Sequence, residues 1–221
     1  MTTTAIRRRR RGEPAPDLTD YRVVHRAMTV DLHRLAATAA ELVERPDAAR
    51  LALLRRYLHA VSSEIESHHR IEDEHVWPVL EAVAGDRTAL VPLTEDHDRL
   101  DPLLHRAAEL AARDRATPAL AAALTEIADL LTRHVSDEER DIFPIIADCV
   151  RVEDYRALQA RFRAGLRPRL LPFLAPWAVR HATPEERAVM VAEAGAVLRV
   201  LLALFERRFL AAEARLFGPT A

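Results

Sequence analysis

Two stretches of the chain pair a histidine with a glutamate four residues later: His68-x-x-x-Glu72 and His134-x-x-x-Glu138. Each is followed by a second acid (Asp73, Glu139) and then by an aromatic residue directly before proline, Trp77-Pro78 and Phe143-Pro144. On a helix, residues four apart share a face one turn apart, so each cassette aims an imidazole and a carboxylate at one point. Nitrogen and oxygen donors without thiolate suit iron, manganese or zinc more than copper. A single such motif is usually an ordinary surface pattern. Two in register, with the same trailing residues, point to two facing helices that hold a pair of metal ions in a bundle core.

The duplication extends further. His25 and His33 stand eight apart, as do His97 and His105, and the order His25, His68/Glu72, His97, His134/Glu138 reads as two helical hairpins, the second a divergent copy of the first. His25 and His97 then supply the two remaining corners of the cage. Eight steps turn a side chain by about 80°, so His33 and His105 are assigned to the rim or surface. Asp101, four after His97, is either an added metal carboxylate or a solvated acid before Pro102; its counterpart after His25 is Thr29, a poor ligand. Asp73 and Glu139 are read as outer or surface groups, with Glu139 a fallback bridge. His69 points about 100° away from His68 and is a secondary candidate for the metal or its outer shell. His75 is a candidate pocket residue, while His59 and His181 have no partner in the repeat. No catalytic residue is expected beyond the metal ligands.

These side chains need helices to position them. Ala and Leu are abundant, glycine numbers only 5 and aromatics 5%, which favours helix over strand. The pattern predicts an all-α, up-down-up-down four-helix bundle with additional C-terminal helices. Helix one starts near Thr19 or Asp20 and runs to about Arg45, and Pro46-Asp47 makes the turn. Helix two runs from about Ala48 to Pro78, with the apolar stripe Leu51, Leu54, Leu58, Val61, Ile65. Gly85-Asp86 separates the hairpins. Helix three spans about Thr94–Arg113, with a kink expected at Pro102. Thr117-Pro118 opens helix four, which continues to about Cys149 along Leu120, Leu124, Ile127, Leu131, Val135 and Ile142. Beyond it are expected a short helix at Val152–Arg163, a Pro-rich linker RPRLLPFLAPW, and a last helix opened by Thr183-Pro184. The domain reading is a disordered Arg-rich tail at 1–17, the bundle at 18–149 and a helical extension at 150–221. The last helix must bury its apolar face, either on the bundle or in a homodimer.

A net charge of −2 gives no reason to expect a nucleic-acid partner. Cys149 stands alone, so an intramolecular disulfide and cysteine-rich metal sites are excluded. The Arg7–Arg11 run is not followed by an apolar segment, so export is not expected and a cytoplasmic location is. The greasy stretches near Leu170–Val179 and Ala196–Leu204 are read as too short or too interrupted to span a membrane.

With these motifs the chain resembles the hemerythrin family in its bacterial HHE cation-binding form, over about residues 20–148. The resemblance rests on His25, His68, Glu72, His97, His134 and Glu138 in order, and on the aromatic-Pro pairs. It implies two non-haem iron ions, bridged by oxo or hydroxo groups and by carboxylates. His25 and His68 would hold one iron, His97 and His134 the other, and Glu72 and Glu138 would bridge. It implies O₂, nitric oxide or peroxide as the small ligand, in a carrier, a sensor or an oxidoreductase. Oxygen-carrying members have a second histidine four after the helix-three one, where this chain has Asp101. They place the helix-four acid five after its histidine, where this chain has Glu139 besides Glu138. Both departures argue against a reversible O₂ carrier. Two alternatives stay open: a diiron enzyme that reduces nitric oxide or peroxide or oxidises an organic substrate, and an iron or oxygen sensor.

Overall fold

Asp47 and Thr117 mark where two of the bundle helices begin. The Asp47 carboxylate accepts the backbone N–H groups of Ala49 and Arg50, and Thr117 accepts that of Leu120, with Pro118 in the first helical position. The computed structural model describes residues 6–85 and 90–218, and every regular element among them is helical. The long helices are α1 (Thr19–Glu44), α2 (Ala48–Ile71), α4 (Val91–Ala111) and α5 (Pro118–Asp141). Two short helices extend the cassettes: α3 (Trp77–Ala84) after α2 and α6 (Phe143–Cys149) after α5. α1 packs against α2 and α5, and α4 also packs against α2 and α5. That closed ring of neighbours is the expected four-helix bundle. Every residue of both expected stripes is buried, including Leu54, Val61, Ile65, Leu120, Leu124 and Leu131 at 0% exposure. α4 runs unbroken through Pro102.

Neither cassette helix runs straight through its aromatic-Pro pair. After α2 the chain makes a π-helical turn, Glu72–Val76, in which the Trp77 N–H reaches back five residues to the Glu72 carbonyl. A proline clashes with the carbonyl four residues before it, and the wider turn relieves Pro78 of that clash. At the second copy α5 stops at Asp141 and α6 restarts at Phe143, ahead of Pro144. Gly85 ends α3 with φ +56°, a conformation glycine adopts without strain; Asp86, the other half of the expected break, lies outside the described residues.

The extension folds as α7 (Val152–Gly165), a 3₁₀ turn (Pro168–Leu170), α8 (Leu171–Arg180) and α9 (Pro184–Phe217). The Pro-rich stretch expected as a linker is therefore mostly helix. Pro172 falls in the first turn of α8, where no N–H is needed, and Leu174, Ala175, Trp177 and Val179 are buried. A capping box between Thr183 and Glu186 opens α9, and Gly195 (φ +68°, ψ −145°) kinks it. α9 packs on α1, α2 and α8. By length and composition alone α9 could cross a membrane, with a mean hydropathy of 2.1 over its most apolar stretch; the expectation of a segment too short or too interrupted to span one considered only Ala196–Leu204. Its inner face buries Met190, Leu202, Phe209 and Leu216, while Val197, Val200 and Leu204 stay exposed.

Of the tail expected to be disordered, residues 1–5 lie outside the described ones. Residues 6–17 have no helix, yet the Arg9 N–H donates to the Cys149 carbonyl at 2.7 Å and Pro16 is buried. That stretch lies against the end of α6.

Candidate metal centre

Seven side chains from four helices meet between the rods. His25 comes from α1, His68 and His69 from the last turn of α2, Glu72 from the start of the π-turn, His97 from α4, and His134 and Glu138 from α5. None is more than 4% exposed. The Nε2 atoms of His25 and His68 face each other at 3.2 Å, and those of His97 and His134 do the same at 3.2 Å. Glu72 lies between the pairs: Oε1 is 2.7 Å from His68 Nε2 and Oε2 is 3.5 Å from His97 Nε2. Glu138 Oε2 is 3.3 Å from His25 Nε2 and 3.9 Å from His134 Nε2. Two donor groups result, His25/His68/Glu72/Glu138 and His69/Glu72/His97/His134, the ligand atoms of each within 4.8 Å of one another.

The acids that trail each cassette serve the opposite hairpin. Glu139 Oε1 lies 3.1 Å from His25 Nδ1, and both Asp73 oxygens lie 3.1 Å from His97 Nδ1. A carboxylate beside Nδ1 accepts a hydrogen bond from Nδ1–H, which keeps the proton there and leaves Nε2 as a lone-pair donor toward the cage. The aromatics complete the same exchange. Phe143 stacks on the His25 ring (centroids 5.7 Å, 19°) and Trp77 on the His97 ring (6.1 Å, 14°). Each cassette thus fixes the lone histidine of the other hairpin.

Tyr21 breaks the symmetry. Its hydroxyl donates to Glu72 Oε1 and lies 2.8 Å from Glu138 Oε1. On the other side, His69 stacks on His97 with centroids 4.1 Å apart. One half of the cage is therefore lined by two histidines and a phenol, the other by three histidines.

The electrostatics suit neutral nitrogen donors and acids held in reserve. Burial pushes His68 down to about 3 and His134 down to about 2, and His69 well below its usual range. Burial also raises Glu72 to about 7 and Glu138 to about 8, the neighbouring Glu72 charge adding to the latter. Both ring nitrogens of His69, Glu72 Oε2 and Glu138 Oε2 are buried with no hydrogen-bond partner among the described residues. Buried polar atoms without partners are rare in folded proteins. Lone pairs that face one another across 3.2 Å repel unless a proton or a cation lies between them. The donor set fits a pair of metal ions.

A sequence model of the hemerythrin HHE cation-binding domain matches residues 18–146, more than half of the chain. The chain belongs to that family. A zinc finger protein BRUTUS-like of Arabidopsis thaliana is 25% identical over 183 residues, covering 75% of this chain and 14% of its own length. No solved structure matches the chain.

Within the HHE bundle all six expected side chains, His25, His68, Glu72, His97, His134 and Glu138, converge. His69 is more central than its helical angle suggested. A 100° offset removes a residue from one focal point, but the cage has two, and the adjacent His68 and His69 each take one. Asp101 is not part of either donor group; it lines an acidic cleft over His69 and His97 with Asp73 and Asp98. Glu139 is outside the cage, as His25's partner. His33 contacts Thr132 at 3.1 Å and His105 lies 3.4 Å from Glu66, both at the surface. Tyr21 was overlooked, although it stands four residues before His25 and so shares its face.

His181, unassigned from sequence, joins Asp31 and Glu213 in a third cluster. Arginines already fill it: Arg34 Nη1 is 2.6 Å from both Asp31 and Glu213, and Arg180 Nε is 2.8 Å from Glu213. It is an ion-pair network that joins α1 to α8 and α9.

Proposed function

We propose that the chain is a non-haem diiron protein that binds O₂ or a related small oxidant or diatomic, nitric oxide or peroxide, in the core of its bundle. The observation that carries this is Glu72, with one carboxylate oxygen facing each histidine pair. In this reading His25 and His68 would hold one iron and His69, His97 and His134 the other, with Glu72 and Glu138 within reach of both. Two ferrous ions, when bound, supply one electron each to the small ligand. Asp73 and Glu139 keep the imidazole lone pairs directed inward, and the buried bundle excludes bulk water. The His25/His68 half has fewer nitrogen donors, which supports placing the open position there.

Tyr21 belongs to the same site: its hydroxyl contacts both Glu72 and Glu138, and burial beside these acids holds its proton firmly, well above the usual phenol range.

Metal analysis of protein grown in iron-rich medium tests the assignment. The expected result is two irons per chain, a visible absorption band when the anaerobic ferrous protein meets O₂, and loss of both in Glu72→Ala. A colourless protein with two zincs, or full activity in Glu72→Ala, rejects it.

A further inference from the structure

The helices beyond the matched segment enclose an open pocket of about 520 Å³ between α7, α8 and α9 on one side and α1 and α2 on the other. Pockets of roughly 300–1,000 Å³ take small organic molecules. The walls are apolar, built from Phe162, Leu166, Leu174, Trp177, Leu198 and Leu201. A gap of about 70 Å³ shares Asp20, Val24, Glu64, Gln159 and Phe162 with the pocket and continues to Tyr21 and His68. The pocket therefore leads toward the Tyr21 and His68 side of the cage.

Glu64 lines both spaces. It has no hydrogen-bond or ion-pair partner among the described residues, and burial alone raises its carboxyl to about 7. Asp20, the other acid of the lining, is already paired: it accepts from Gln159 Nε2 at 2.9 Å and from the Tyr155 hydroxyl at 3.2 Å. Arg163 is exposed. A half-buried carboxylate without a partner, shared by the pocket and the gap, calls for a cationic group carried on an apolar body.

We propose that α7, α8 and α9, together with Glu64, form a binding site for a small amphiphile with one protonated amine, its alkyl body in the apolar pocket and its amine on Glu64, one helical turn from His68. This goes beyond the diiron reading and does not depend on it, because Glu64 is not part of the cage.

Calorimetric titration of the full-length protein with n-octylamine, 1-octanol and octanoate tests the proposal. Octylamine is expected to bind about tenfold tighter than the other two, the usual gain of a hydrogen bond to a charged group. Glu64→Gln removes that preference and leaves the metal content at the wild-type level. Leu201→Trp fills the pocket and weakens all three probes. Equal binding of the three probes, a preference that survives Glu64→Gln, octylamine binding untouched by Leu201→Trp, or no binding at all would each overturn it. Metal content, measured on the same samples, separates failure of the pocket from failure of the diiron assignment.

Discussion

Burial strips charge from much of the cage. Near neutral pH His68, His69 and His134 are unprotonated, because burial holds them far below their usual range. Below about pH 7 its two acids keep their protons, because burial raises Glu72 to about 7 and Glu138 to about 8. The sign follows directly: a raised carboxyl pKa means that protons compete with the cation below that pKa. Loading with ferrous or zinc ion at about pH 6 should release about two protons per chain, and affinity should climb as pH rises through 7 and 8. Proton release in weakly buffered solution measures this, and loading without release would show that the carboxylates are not the ligands. Tyr21 offers a second check. In the metal-free protein, Tyr21→Phe removes the hydroxyl that Glu72 and Glu138 share and leaves both buried acids without that hydrogen-bond partner. The expected cost is about 1–3 kcal/mol in urea unfolding. In the iron-loaded protein two irons should remain, and the visible spectrum should shift.

At the scale of helices, the position of Asp31 shows how the extension is tied to the bundle. This fully buried carboxylate on α1 accepts from Arg34, from the Tyr57 hydroxyl on α2 and from Trp177 Nε1 on α8. Asp31→Ala strands the buried Tyr57 and Trp177 donors, removes one of Arg34's two acidic partners and should cost about 3–5 kcal/mol in denaturant unfolding, while the cage one to two turns away keeps its metals. A loss below about 1 kcal/mol would mean that the network is solvated. None of this network was legible beforehand, because Asp31 and His181 are 150 residues apart and follow no period. The bundle itself was legible, because its stripes and its doubled cassette obey helical spacing over four long segments. Proline misled in one place: Pro172 and Pro176 read as linker, whereas burial of Trp177 and its neighbours outweighs one lost backbone bond in α8. The π-turn after Glu72 left only an indirect mark, the Trp77-Pro78 pair. His69 was undervalued because one helical face was matched to one focal point. Tyr21 could have been found by stepping back one turn from His25.

On the scale of the whole chain, the extension and the bundle share one hydrophobic interior. Leu174, Trp177, Phe209 and Leu216 belong to the same core cluster as Leu32, Leu54 and Leu124. Phe162 of α7 packs on His68 at 5.1 Å and on Tyr21 at 5.6 Å, so the extension also covers one side of the cage. Arg26–Glu186 and Arg34–Glu213 tie α1 to α9, and Arg50 donates to the Leu216 carbonyl at the far end. A chain cut after residue 150 would expose the apolar faces of α1 and α2 over a large area, and such patches drive association. The fragment is expected to aggregate, or to unfold several kcal/mol more easily than the full chain. Because aggregation alone would not separate a cover from a core element, the sharper variant is Phe162→Ala in the full chain. It opens the space over His68 and leaves the main core intact. Metal loss to a strong chelator should then quicken while the thermal midpoint falls only modestly. If the truncated bundle instead stays monomeric and holds its metals as long as the full chain does, the extension is an appendage, and the shared core contributes nothing to the site.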